Sequence, residues 1–191
     1  MDLHKFGIKF FAAGAERIDI LKLIPIYHRW IQQSALEGLL IDVADYSHVP
    51  AGPGVMLIAH EGNYALDETG HERGVVYYSK HRLEGELSER LAHVARKALQ
   101  AAELMRGDTE LEGALKLPGN RLQFFANDRL VAPNTEVAYA AIEPALKVFL
   151  DRLYAGARYT CVHEPDSKER LAVRVQADGE VALPTLIARL T

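Results

Sequence analysis

Ile8-Lys9-Phe10-Phe11-Ala12, close to the N-terminus, returns near the middle of the chain as Leu122-Gln123-Phe124-Phe125-Ala126. The resemblance continues beyond each copy. A helical stretch with an internal proline follows (Pro25, then Pro144), and five residues later an aromatic-aliphatic pair (Trp30-Ile31, then Phe149-Leu150). A glycine (Gly38, Gly156) and two strand-like runs complete each copy. The spacing predicts a duplicated β-α-β-β unit, with copy one over about 6–106 and copy two over about 120–190 of a single 191-residue domain.

Working outward, residues 6–12 carry three phenylalanines and suit a strand, broken at Gly14. Apolar residues then recur at helical spacing through Leu23, Ile26, Tyr27, Trp30 and Ile31. Asp19 is a candidate cap. Placing Pro25 in the first turn starts the helix near Ile24, and Gly38 is expected to end it in the left-handed conformation. Leu39 to Tyr46 and Val55 to His60 read as strands around the turn Pro50-Ala51-Gly52-Pro53-Gly54. Asp67 to Gly74 reads as a polar turn, and Val75 to Ser79 as a further strand.

The clearest helix covers 84–106, where Leu87, Leu91, Val94, Ala98, Ala101 and Met105 form one stripe and Ala92, Ala95 and Ala102 widen it with small side chains. Residues 107–119 form a polar connector, with a short helix expected at 110–115. Copy two then reads as strand 121–127, helix 135–154 capped by Asn134, strands 157–164 and 170–177, and a last helix over 184–190 with Pro184 in its first turn. The order implies an α+β fold, a mainly antiparallel sheet with helices on one face, with ferredoxin-like topology in the first part. Topology of that kind implies no activity.

Composition narrows the function classes. A net charge of −4 gives no basic field for a nucleic-acid backbone, and Lys80-His81-Arg82 reads as a solvated turn. No apolar run approaches the ~20 residues that a membrane span needs. Neither nucleic acid nor membrane is therefore expected as a partner. No signal-peptide pattern is read at the N-terminus, and the one cysteine, Cys161, cannot close an internal disulfide, so a cytoplasmic location is expected. Cys161 sits in an apolar strand-like run and reads as an inert thiol rather than a nucleophile.

Polar residues concentrate in the first hairpin: Asp42, Asp45, Tyr46, His48, His60, Glu61 and Asn63. Copy two has little to match them. Strand alternation places Asp42, Tyr46 and His48 on one side and Asp45 and Ser47 on the other. With Val49 opposite Val55, His60 falls beside Ala44 on the side of Asp42. A one-residue slip moves it to the side of Asp45. Either register offers a carboxylate to the imidazole, an arrangement suited to acid-base chemistry near neutral pH. The competing account is that these residues only satisfy backbone groups at strand ends. Asp128 and Arg129, at the end of strand 121–127, form a second, weaker locus.

Several chemistries lack their motif. His60-Glu61 opens like H-E-x-x-H, but residue 64 is Tyr64 and the segment reads as a strand, which sends neighbouring side chains to opposite faces. A ligand set of His48, His60 and an aspartate is geometrically possible, yet no metal and no cofactor is expected. No G-x-S-x-G occurs, and Gly52-Pro53-Gly54 neither precedes a lysine nor opens a helix, so it does not cradle phosphate. The sequence therefore implies one pocket for a small polar molecule around 42–64. His60 would be the hydrogen-bonding or proton-transferring group, Asp42 or Asp45 its orienter, and Tyr46, His48, Glu61 and Asn63 the wall. A homodimer is expected, for which the aromatic stretch Gly74–Ser79 would serve as an edge if exposed; the competing account packs Tyr77 inward and leaves Tyr78 half-exposed. The alternative is a non-catalytic homo-oligomeric adaptor or assembly protein.

Overall fold

Strand β1 (Phe6–Phe11) is buried at every position because it runs through the middle of the sheet. In the computed structural model, which describes residues 2–13, 18–50, 52–111 and 113–191, the element order is β1, α1 (Leu23–Gln33), β2 (Leu40–Tyr46), β3 (Gly54–Ala59), β4 (Gly62–Asp67), β5 (Gly74–Ser79), α2 (Leu87–Gly107), β6 (Arg121–Ala126), α3 (Glu136–Tyr154), β7 (Tyr159–His163), β8 (Ala172–Ala177) and α4 (Leu183–Arg189). Gly14 lies outside the described residues. The eight strands form one sheet in the order β2-β3-β4-β5-β1-β6-β8-β7, with every neighbouring pair antiparallel. The chain is thus an α+β protein, and its four helices share one face of the sheet.

Alternation along each strand sorts residues between two environments. Phe6, Ile8, Phe10, Leu57, Tyr64, Leu66, Tyr77, Leu122, Phe124, Val173 and Val175 point into the core beneath the helices. Helix α2 lies over β1 and β5. Its fully buried Ala95, Ala98, Ala101 and Ala102 let it approach closely, as the alanine-rich stripe implies. A reciprocal capping box between Glu86 and Glu89 starts it. Helix α1 covers the β2 end, while α3 and α4 pack against α2.

Local signals held in part. Asp19 caps a short 3-10 turn, Ile20–Lys22, by accepting from Leu21 N at 3.0 Å, and Pro25 lies in the first turn of α1. The helix ends at Ser34, in the left-handed conformation with φ 49°, rather than at Gly38. Thr135, not Asn134, caps α3, its hydroxyl accepting from Ala138 N at 3.2 Å. The connector helix reduces to a 3-10 turn at Thr109–Leu111.

Two corrections bear on the site. Residues 62–67 form the interior strand β4, paired on both sides, where the sequence reading passes from a hairpin into a polar turn. Strand β5 lies between β4 and β1, so its tyrosines are not an edge; β2 and β7 are the edges.

Candidate functional site: the helix-free face

Among the described residues no helix lies on the second face of the sheet, yet its central side chains are buried: Phe11, Met56, Ala65, Val76 and Phe125. Cationic side chains supply the missing cover. The guanidinium of Arg170 lies 3.8 Å from the Phe125 ring centroid, and those of Arg121 and Arg174 lie 4.8 and 5.7 Å from that of Phe11. Arginine suits this role, since its planar, weakly hydrated head stacks on aromatic rings while still donating hydrogen bonds. Glu72 ties two of the three together, accepting from Arg121 and Arg174 at 2.6 Å each. Those two guanidiniums hold the Glu72 carboxyl below the usual glutamate range.

Beneath this cover sits an ion pair. Lys9, only 1% exposed, donates to Asp67 Oδ2 at 2.7 Å and to the Thr69 carbonyl at 3.0 Å. Burial pushes the Lys9 ammonium below the usual lysine range, and Asp67 opposes that shift. Asp67 also orders its own loop, accepting from Thr69 Oγ1 at 2.7 Å. A charged pair in a strand otherwise made of buried apolar residues gives up hydration that its mutual attraction only partly recovers.

Next to the pair, Asn63 donates to the Tyr78 hydroxyl at 2.9 Å, and that hydroxyl lies 3.8 Å from Met56 Sδ. Asn63 is 7% exposed and its Oδ1 is buried without a hydrogen-bond partner. Gly7 makes this packing possible across β1. A Cβ at that position would overlap the Phe125 ring and come within 2.7 Å of Tyr78 Cβ. Beside Arg170 a cleft of about 290 Å³ opens, whose lining includes two guanidiniums, Arg170 and Arg174, and three carboxylates, Glu164, Asp166 and Glu169. Arg170 is further held by Asn127 Oδ1 at 3.1 Å, and burial lowers the proton affinity of its guanidinium.

The residues singled out in the sequence divide between this face and elsewhere. Asn63 is part of it. Tyr46 shares the face from the neighbouring edge strand, 42% exposed, with the His48 ring 6.3 Å away in the following loop. Asp42 pairs opposite Ile58 and accepts from Val43 N, while Asp45 pairs opposite Val55 and accepts from Ser47 N, both at 2.8 Å. His60 and Glu61 form the tight turn between β3 and β4, where His60 lies 5.3 Å from the His81 ring. Asp128 and Arg129 hold the loop after β6, with Arg129 donating to the Ser167 carbonyl at 2.7 Å.

Neither expected register of the first hairpin occurs. Val55 pairs with Asp45, and a bulge at Ile41 brings His60 N onto the Leu39 carbonyl at 2.9 Å. Among the described residues no hydrogen bond or ion pair joins His60 to Asp42 or Asp45. Strand rise separates His60 from the His48 end of the hairpin by ~20 Å, so those two imidazoles do not share an ion. Among the described residues no group of three or more His, Cys, Asp or Glu side chains is arranged to hold a metal. No helix among them is long and apolar enough to cross a membrane.

Lys9, Asp67, Tyr78, Phe125 and Arg170 are not among the site residues that the sequence suggests. Lys9 carried a usable signal, a lone cation inside a phenylalanine-rich strand. Arg170 carried none, because its role depends on β6 and β8 being neighbours.

No protein-family profile matches this chain, and no curated protein is significantly similar to it.

Proposed function

We propose that this protein binds a small polar molecule bearing an anionic group on the helix-free face of its sheet. Arg170 meets the anion from the cleft, with Arg174 as a second cation on its wall, and the Lys9–Asp67 pair, Asn63 and Tyr78 lie behind it on the same face. The observation that carries this reading is the placement of Arg170. Its charge is held against Phe125 in a cleft rather than released to water, and an arrangement that weakens the hydration of a cation strengthens its hold on an anion. The hairpin contributes through Asn63 and Tyr46.

Acid-base catalysis by His60 would require Asp42 or Asp45 to orient its imidazole. Asp42 is the nearer by strand position, but its carboxylate is engaged with Val43 N. The proposal is therefore binding, with catalysis by His60 as a separate question answered by His60→Ala. The cytoplasmic setting is supported by the lone cysteine.

Duplication remains part of the proposal. If the two copies are aligned as Ile8 with Leu122 and Phe10 with Phe124, a two-fold relation requires that Ile8 pair with Phe124 and Phe10 with Leu122. Both pairs occur, and Lys9 sits opposite Gln123 on the axis. The strand order β2-β3-β4-β5-β1 of the first part lends no support to the ferredoxin-like reading.

Titration of the ¹⁵N-labelled protein with L-aspartate, malate and glycerol 3-phosphate tests the function. Amide shifts should cluster at Lys9, Asn63, Asp67, Tyr78 and Arg170. Shifts confined to His48, His60 and Glu61 would place binding at the hairpin turns instead.

A further inference from the structure

The two edges of the sheet are not alike. Strand β2 is guarded: it carries Asp42 and Asp45 and a bulge at Ile41, devices that discourage another strand from adding to an edge. Strand β7 reads Tyr-Thr-Cys-Val-His over 159–163, with no charge, no proline, and a regular register against β8. Nothing in its sequence or geometry blunts it.

The phase of its free backbone follows from one hydrogen bond. Asp178 N donates to the Arg158 carbonyl at 2.8 Å, so the even-numbered residues of β7 face β8. The amides and carbonyls of Tyr159, Cys161 and His163 therefore point outward, and among the described residues no strand pairs with them. The helix side of the same edge is loosely filled. A groove of about 570 Å³ is lined by Tyr159 and Cys161 of β7 and by Tyr139, Glu143, Lys147 and Asp151 of α3, and the Tyr159 hydroxyl spans it by donating to Asp151 at 2.6 Å.

We infer that β7 of one copy pairs antiparallel with β7 of a second copy, joining two sheets across a two-fold axis at Cys161. Pairing outward-facing residues with outward-facing residues is satisfied by this register, which sets Tyr159 opposite His163 and Thr160 opposite Val162 of the other copy. Its flanks supply the charge complementarity. Arg158 comes opposite Glu164 of the other copy, and the axis repeats the pair. Arg158 is free to make that contact, since its side chain is 94% exposed and its only described ion pair is the loose one to Asp178 at 3.6 Å. Val162, 51% exposed in the single chain, is covered by the same pairing. This interface does not depend on the ligand reading, although Glu164 also borders the cleft on the helix-free face.

Charge reversal tests the register in the full-length chain. Sedimentation velocity at micromolar concentration should give a dimer for the wild type. Arg158→Glu, and separately Glu164→Arg, should each weaken dimerisation about tenfold or more, equivalent to about 1.4 kcal/mol, because the axis counts each change twice. The double variant R158E/E164R should restore it. Both side chains flank the strand, and far-ultraviolet circular dichroism verifies the fold of each single variant. A monomeric wild type overturns the inference, and so does a dimer whose affinity ignores both reversals. A monomer that instead takes up an extended peptide along β7 assigns the edge to a different occupant and overturns it as well.

Discussion

Lys9 and Asp67 are joined at 2.7 Å on the face of the sheet opposite the four described helices. Both are nearly sealed from solvent, Lys9 by its place in the central strand and Asp67 by the Thr69 loop that it organises. A buried pair of this kind is worth little beside an apolar replacement, but each partner becomes a liability without the other.

Lys9→Met should therefore destabilise the protein by about 3–5 kcal/mol, since it leaves Asp67 charged and unpaired. Combining it with Asp67→Asn should recover a large part of that loss. Urea unfolding of the two single variants and the double variant measures the coupling. Additive losses would mean that the pair does not interact.

Gly7 has no side chain because Phe125 and Tyr78 meet across it. Gly7→Ala should cost about 1–3 kcal/mol through overpacking, the typical range for a methyl forced into a filled core. Gly107→Ala is the control, because a Cβ there meets nothing within 4 Å.

Acid should loosen the cover on Phe11. The Glu72 carboxyl is held below its ordinary value of 4.5 by Arg121 and Arg174, so its contribution to stability is present above that value and is lost as pH falls through the folded-state pKa. Glu72→Gln should thus be less stable than wild type at neutral pH, and the difference should close on acidification below pH 4.5. Thermal unfolding across that window reads it directly. A difference that stays constant to low pH would remove the linkage.

His60→Ala should leave stability within about 0.5 kcal/mol of wild type, as expected for an exposed turn residue away from caps and core. A larger loss would show that the turn between β3 and β4 needs the imidazole, which would favour the structural account of the hairpin.

The repeat of phenylalanine-rich strands made β1 and β6 legible, because bulk and alternation are local signals. The same holds for α2, whose leucines and alanines keep helical spacing for 21 residues. Strand β4 was not legible. Gly62-Asn63 resembles a turn, and the strand is buried at every position, so no polar face marks its period. The hairpin register failed for a different reason. It is set by the pairing of Tyr46 with Gly54 and by a bulge at Ile41, and neither alternation nor turn residues encode a bulge. The candidate face itself depends on β1 having β5 and β6 for neighbours, a relationship between residues far apart in the chain. Lys9 and Asp67 are 58 positions apart, and Arg170 is farther still.

The cover of arginines on Phe11 and Phe125 is the feature on which the functional account turns, and Arg170 is its decisive residue. The most direct measurement is a thermal-shift comparison of wild type with Arg170→Ala against L-aspartate, malate and glycerol 3-phosphate. At 100 times the dissociation constant a ligand adds about 2.7 kcal/mol to the folded state. The account predicts that at least one of these anions raises the wild-type melting temperature and leaves that of Arg170→Ala unchanged. Equal responses from the two proteins, or none from the wild type, would contradict it.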